Sequence, residues 1–209
     1  MFPRTLSDDS QNSLALLGKS KILDKAYLAG GSSLALQLGH RRSIDFDFFS
    51  EEEFNVTRIK KQLSEIGNYK EETETPKTMV GQFNNIKFSY FHYPYSLIKP
   101  TLKFLNINLA SIEDIAAMKL VAITDRGTKK DFIDLYFLAK KKFPFEEMFK
   151  FYDKKYHILS SNLFTLIKSL QFYYDADNKA MPEMIAKVDW NEVKKFLQKE
   201  VVRLANKYI

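Results

Sequence analysis

The sequence predicts an α+β (α/β) fold: a small mixed β-sheet flanked by helices over residues 1–110, then a helical bundle over residues 111–209. Three observations predict it. Between Tyr27 and Phe49 an apolar run meets a Gly-Gly turn, a short helical stretch and then a strand of period-2 alternation. Asn84-Asn85 joins two further apolar runs, which is a hairpin signal. From Ser111 onward apolar residues recur at helical spacing, with capping signals between the periodic stretches.

Leu6 to Ala26 reads as an amphipathic helix, since Leu14, Leu17, Ile22 and Ala26 fall near helical spacing and Ser10 is placed to cap it. Tyr27, Leu28 and Ala29 form a strand end running into Gly30-Gly31, where the missing Cβ atoms let the backbone turn sharply and approach a ligand. Ser32 and Ser33 then cap a helix over Leu34 to Leu38. Its first N–H groups point into the turn, and such a helix start holds phosphate oxygens because free donors and the positive dipole end coincide. In the next strand Ile44, Phe46 and Phe48 share the buried face, while Asp45, Asp47 and Phe49 share the other. Carboxylates roughly 6–7 Å apart, two strand steps, repel unless a cation lies between them. Hard oxygen ligands suit Mg²⁺ completed by substrate phosphates. A phosphate cradle beside a metal-binding carboxylate pair is a layout for phosphoryl or nucleotidyl transfer.

The acidic triplet Glu51 to Glu53 precedes a helix over Val56 to Ile66 that packs through Ile59, Leu63 and Ile66. Thr78 to Phe83 and Ile86 to Tyr93 form the hairpin around Asn84-Asn85, whereas the polar stretch Asn68 to Thr75 carries no clear pairing signal. In the aromatic run Phe88 to Tyr95, alternation sends Phe88 and Tyr90 to the core, with His92 and Tyr93 framing a turn at Pro94; a base-stacking platform is the rival reading. A short strand is expected over Phe104 to Ile107. Ser111 with Asp114 reads as a capping box for a helix reaching Asp125 that buries Ile115, Met118, Val121 and Ala122. Gly127 ends it, and Thr128 with Asp131 caps a second helix reaching Lys141. Lys119, Arg126 and Lys130 then lie near the mouth of a helical hairpin. Further helices are expected over Phe145 to Tyr156, Asn162 to Tyr174 and Asp189 to Tyr208, the last with a basic, solvated face of Lys194, Lys195, Lys199, Arg203 and Lys207.

A net charge of +6 and a pI near 9.2 favour a polyanionic partner without demanding one. The chain has no cysteine, which removes disulfides and thiolate metal sites. His40, His92 and His157 have no metal-ligand spacing, and Gly-Lys-Ser/Thr phosphate loop, dinucleotide fingerprint and nucleophile elbow are all missing. No apolar run approaches the roughly 20 residues that span a bilayer, and the first residues lack a signal-peptide core, so a cytoplasmic protein with no membrane partner is expected.

The run GGSSLALQLGHRRSIDFDFF, Gly30 to Phe49, resembles the nucleotidyltransferases of the AbiEii/AbiGii toxin group, within the DNA polymerase β-like superfamily with its Gly-Ser turn followed by Asp-x-Asp. The second signature of that group resembles KLVAITDRGTKKDFIDLYFL, Lys119 to Leu138. The resemblance implies a nucleotidyltransferase core over residues 1–110 and a helical region over 111–209 that completes the active site. It implies Mg²⁺ or Mn²⁺ at Asp45 and Asp47, and a nucleoside triphosphate held by Gly30, Gly31 and Ser32. Arg41, Ser43, Arg126 and Lys130 support nucleotide binding, and Lys119 contacts substrate phosphates. Either Asp131 or Asp134 fits the acid of the second motif. The expected reaction transfers a nucleoside monophosphate to an acceptor hydroxyl of RNA, tRNA included, by the toxin of a toxin–antitoxin or phage-defence pair with a cognate antitoxin. A small-molecule acceptor and a non-catalytic nucleotide- or RNA-binding module are the alternatives. The latter draws on Ser89, which stands where the superfamily usually carries a third carboxylate.

Overall fold

The computed structural model describes residues 1–209, which divide into two units, Met1–Ser111 and Ile112–Ile209. In the first, Ser7 caps α1 (Asp8–Ser20) by accepting from the Ser10 N–H. The cap is therefore Ser7 and not Ser10, whose hydroxyl accepts from that of Ser7. The helix also ends earlier than its pattern suggests, at Lys21 in the left-handed region. β1 (Tyr27–Leu28), α2 (Gly30–Leu38) and β2 (Phe46–Ser50) follow, and α3 (Val56–Ile66) has the bounds its periodicity predicts, with Asn55 as its cap.

The strands β3 (Tyr69–Thr75), β4 (Thr78–Phe83), β5 (Ile86–His92), β6 (Leu102–Phe104) and β7 (Ile107–Leu109) complete a seven-stranded sheet of order β3-β4-β5-β2-β1-β7-β6. It is mixed, as expected: β2 pairs with β5 and β1 with β7 in parallel, and the other neighbours are antiparallel. Asn84 and Asn85 both take positive φ, 52° and 64°, and make the tight turn the dipeptide signals. The expected strand over Phe104 to Ile107 is instead a second hairpin of this kind. Leu105 and Asn106 hold φ of 50° and 64° at its tip, and a leucine there gives no turn signal in the sequence. Gly18 on α1 accommodates that tip, since a Cβ on it would lie 1.9 Å from the Leu105 carbonyl oxygen.

One core fills this unit. Leu14 and Leu17 of α1, Ile59 and Leu63 of α3, and Phe46, Phe48, Phe88 and Tyr90 from the sheet belong to it. Phe88 and Tyr90 thus take the core positions alternation assigns them. Ile44 does not join Phe46 and Phe48: it is 62% exposed, because the strand begins only at Phe46 and alternation does not extend back into the loop.

The regular elements of the second unit are helices: α4 (Ile112–Asp125), α5 (Lys129–Lys141), α6 (Phe145–Tyr156), α7 (Leu159–Ser169), the short α8 (Tyr174–Asp177) and α9 (Trp190–Tyr208). Thr128 and Asp131 form the capping box at the start of α5. The buried face of α4 is Ile115, Ala116, Ala117, Lys119, Leu120 and Ile123; Met118, Val121 and Ala122 are only half-buried, so the apolar stripe is rotated from its expected position. α7 starts three residues before the expected Asn162, with Ser160 and Ser161 inside the helix, and ends at Ser169 instead of Tyr174. Asp114 of α4 and Lys155 of α6 form an ion pair at 2.8 Å with both side chains fully buried. Phe132, Tyr173 and Trp190 pack ring to ring at 5.1–6.0 Å. The basic face of α9 is largely paired: Arg203 meets Glu146 at 2.5 Å and Glu200 at 2.7 Å, Lys207 meets Glu146 at 3.1 Å, and Lys194 meets Asp177 at 2.9 Å.

Candidate active site

The Gly-Gly pair is not a turn ahead of a helix but the first turn of α2 itself. Ala29 occupies the N-cap, and an alanine has no side-chain acceptor with which to cap α2. Ser32 and Ser33 therefore do not cap. The Ser32 hydroxyl donates to the carbonyl of Asp45 and lies 3.0 Å from the Ser43 hydroxyl, while Ser33 accepts from Gln37. What is left at the helix start is the backbone of Gly30 and Gly31, both partly exposed, with the positive end of a nine-residue helix behind it.

Both glycines are there because of what lies against them. Gly30 has φ +62°, and a Cβ on it would stand 2.7 Å from Asp47 Oδ2. On Gly31 a Cβ would stand 2.5 Å from a terminal nitrogen of Arg41 and 3.3 Å from Ser43 Oγ. Arg41 is 2% exposed and donates to the carbonyl of Arg42 at 3.0 Å, and Ser43 is likewise buried, its N–H bonded to Thr5. The first motif thus sorts into two layers. Gly30, Gly31, Asp45 and Asp47 reach solvent, whereas Ser32, Arg41 and Ser43 form a buried brace beneath them.

Asp47 lies on β2 and Asp45 in the loop just before it, so only one of the two carboxylates is on a strand. The Ala29 N–H bonds the Asp47 carbonyl at 3.0 Å, which ties the helix start to the level of the carboxylates. Parallel pairing sets Asp47 directly beside Ser89 on β5, so the position where a third acid was expected is the register partner of Asp47, and it holds a buried serine. No group of three metal-ligating side chains occurs. Two carboxylates beside a helix start, with the room a glycine leaves next to Asp47, do fit a hard divalent cation whose remaining ligands are water and phosphate oxygens.

The second motif forms its own network within the helical unit. Lys119 of α4 lies 2.8 Å from Asp131 and 2.6 Å from Asp134, both on α5, and all three side chains are almost fully buried. Asp131 also accepts from the Thr128 N–H and hydroxyl and from the exposed Arg126. Burial alone would push its carboxyl up, but the charges of Lys119 and Arg126 outweigh that and hold its pKa down at about 2. Lys119 is therefore not a surface lysine, and Asp131 and Asp134 share it. Lys130 is exposed on the first turn of α5.

The sequence matches the profile of the family described as nucleotidyl transferase AbiEii toxin, type IV toxin–antitoxin system, over residues 14–103 and 88–203. An uncharacterised protein of Aquifex aeolicus (strain VF5), aq_aa25, is 34% identical over 203 residues, 95% of this chain and 97% of that one. The fold is similar to that of JHP933 from Helicobacter pylori, with a TM-score of 0.60 at 20% identity over 97% of this chain and 94% of that one. It is also similar to MenT4, a nucleotidyltransferase toxin of Mycobacterium tuberculosis H37Rv, with a TM-score of 0.55 at 11% identity over 96% and 86%. At such identities the two structures speak for the fold alone. No helix is long and apolar enough to cross a membrane.

Proposed function

Because this chain belongs to the AbiEii family of nucleotidyltransferase toxins, and is by that membership a nucleotidyltransferase, we propose that it transfers a nucleoside monophosphate from a nucleoside triphosphate to a hydroxyl of RNA, tRNA included. The observation that supports this best is the Gly30-Gly31 start of α2, with no cap from its N-cap alanine and bonded through Ala29 to the strand that carries Asp47. A triphosphate needs N–H donors for its terminal phosphates and carboxylates for the accompanying cation, and the stretch from Gly30 to Asp47 supplies both side by side.

In this reading the Gly30 and Gly31 N–H groups take the terminal phosphates, and the buried brace of Ser32, Arg41 and Ser43 keeps the helix start from shifting. Asp45 and Asp47 hold Mg²⁺ or Mn²⁺, which when bound supplies charge neutralisation at the α-phosphate. The acceptor hydroxyl attacks that phosphorus; a new O–P bond forms, the bond to pyrophosphate breaks, and the hydroxyl proton leaves to a base or to water. Within the helical unit Asp131 and Asp134 hold Lys119 between α4 and α5, and the exposed Arg126 pairs with Asp131 beside it. The system acts in the cytoplasm, opposed by a cognate antitoxin.

Incubating the protein with Mg²⁺, each α-labelled nucleoside triphosphate in turn and total cellular RNA tests this. Label is expected in an RNA band and is lost in Asp45→Ala, whose circular dichroism stays that of the native chain. Activity that survives Asp45→Ala would sink the mechanism.

A further inference from the structure

The alternation that buries Phe48 and Phe88 leaves a second set of rings on the face of Asp47. Phe49 follows Asp47 by two residues and pairs in register with Phe91, its ring 5.3 Å from that of Phe91 and 5.3 Å from that of Tyr93. Tyr93 in turn meets Tyr95 at 4.8 Å, and the buried Tyr27 stacks on Phe49 from β1. Phe49, Phe91 and Tyr93 are half-buried and Tyr95 is 40% exposed, so the row is not sealed in the core. Its outer end is pinned: the Tyr93 N–H bonds the Ser50 carbonyl at 2.7 Å, the Tyr95 N–H the Tyr93 carbonyl at 2.8 Å, and the Leu97 N–H the Glu51 carboxylate at 3.1 Å.

The order along β2 gives these rings a role. Ala29 sets the start of α2 level with Asp47, and β2 then runs away from it toward Phe49 and Ser50. The carboxylates, with the helix start beside Asp47, therefore lie at one end of β2 and the rings toward the other. In an in-line displacement the attacking oxygen stands opposite the leaving one. With pyrophosphate departing at Gly30 and Gly31, the acceptor approaches from the ring side. We propose that Phe49, Phe91, Tyr93 and Tyr95 form a platform on which bases of the single-stranded acceptor RNA stack next to its attacking hydroxyl. Tyr95, the most exposed ring at the end of the row, is the one placed to meet the π-face every base offers, while Phe49, Phe91 and Tyr93 pack against one another behind it. This assignment rests on the transferase reading above.

The test titrates the full chain, without nucleoside triphosphate, into a fluorescein-labelled single-stranded RNA of about eight nucleotides and follows anisotropy. Tyr95→Ala is expected to weaken binding about tenfold, while Tyr95→Phe, which keeps the ring, binds as the natural chain does. A fluorescent nucleoside triphosphate binds all three alike. RNA affinity unchanged in both Tyr95→Ala and Tyr93→Ala overturns the platform, as does loss of triphosphate binding in place of RNA binding. Label transfer by the natural chain and by Asp45→Ala is measured alongside. Unchanged RNA affinity with transfer intact removes the platform alone, and absence of transfer to any acceptor removes the parent reading.

Discussion

Asp131 caps a helix, neutralises two cations and lies almost fully buried, so its ionisation is tied to the fold. Its carboxyl is held at about 2, below the ordinary 3.8. A depressed acid adds stability above its unfolded pKa and loses it as pH falls through the folded one, so this contribution is complete near neutrality and drains away between about pH 4 and pH 2. Asp131→Asn is therefore expected to cost about 2 kcal/mol in urea unfolding at pH 7, with the gap to the natural chain closing toward pH 2. A gap independent of pH would mean that the cap, and not the charge, carries the effect. At Gly30 the constraint is steric, since φ is +62° and Asp47 Oδ2 occupies the space a methyl would need. Much of the first motif was legible from residues in this way: glycines, carboxylates and their order are all in the sequence. That Arg41 and Ser43 are buried beneath the site was not, because a short polar loop reads alike whether its side chains point to a ligand or under a helix.

Among the elements, α3, β4, α6 and the Thr128–Asp131 cap were readable because strong local signals bound them. The β6–β7 hairpin was not. Its turn is built from Leu105-Asn106, and its conformation depends on Gly18 of α1, far away in sequence. The Lys155–Asp114 pair was equally hidden, since Asp114 looks like part of a cap and Lys155 like one of several lysines near the end of α6. Removing one partner of a fully buried pair leaves the other charged and unsolvated. Lys155→Met is expected to destabilise the chain by about 3–5 kcal/mol, and adding Asp114→Leu should restore much of the loss. Equal stability of Lys155→Met and the natural chain in denaturant melts would show that Asp114 finds another counter-charge.

At the scale of the molecule, ligand binding should be readable as stability. A nucleoside triphosphate with Mg²⁺ at about 100 times its dissociation constant adds about 2.7 kcal/mol, which is several degrees in melting temperature for a chain of this size. The shift is expected to vanish with a chelator and to be missing in Gly30→Ala, which fills the cradle. A shift that persists in Gly30→Ala would move the phosphate site elsewhere. The net charge of +6 is a weaker guide, because Lys194, Arg203 and Lys207 on α9 are already matched by Asp177, Glu146 and Glu200. The parallel register of β2 and β5 has one more consequence, for how the gene can drift. Asp47 faces Ser89 and Phe49 faces Phe91 only while the count of residues from Phe83 to Ser89 is kept. Losing a single codon at Asn84-Asn85 would slide Phe88 or Tyr90 onto the carboxylate face and push Ser89 into the core. The loop between Ser50 and Val56 is under no such count, so lengthening should be tolerated there far better than in the hairpin.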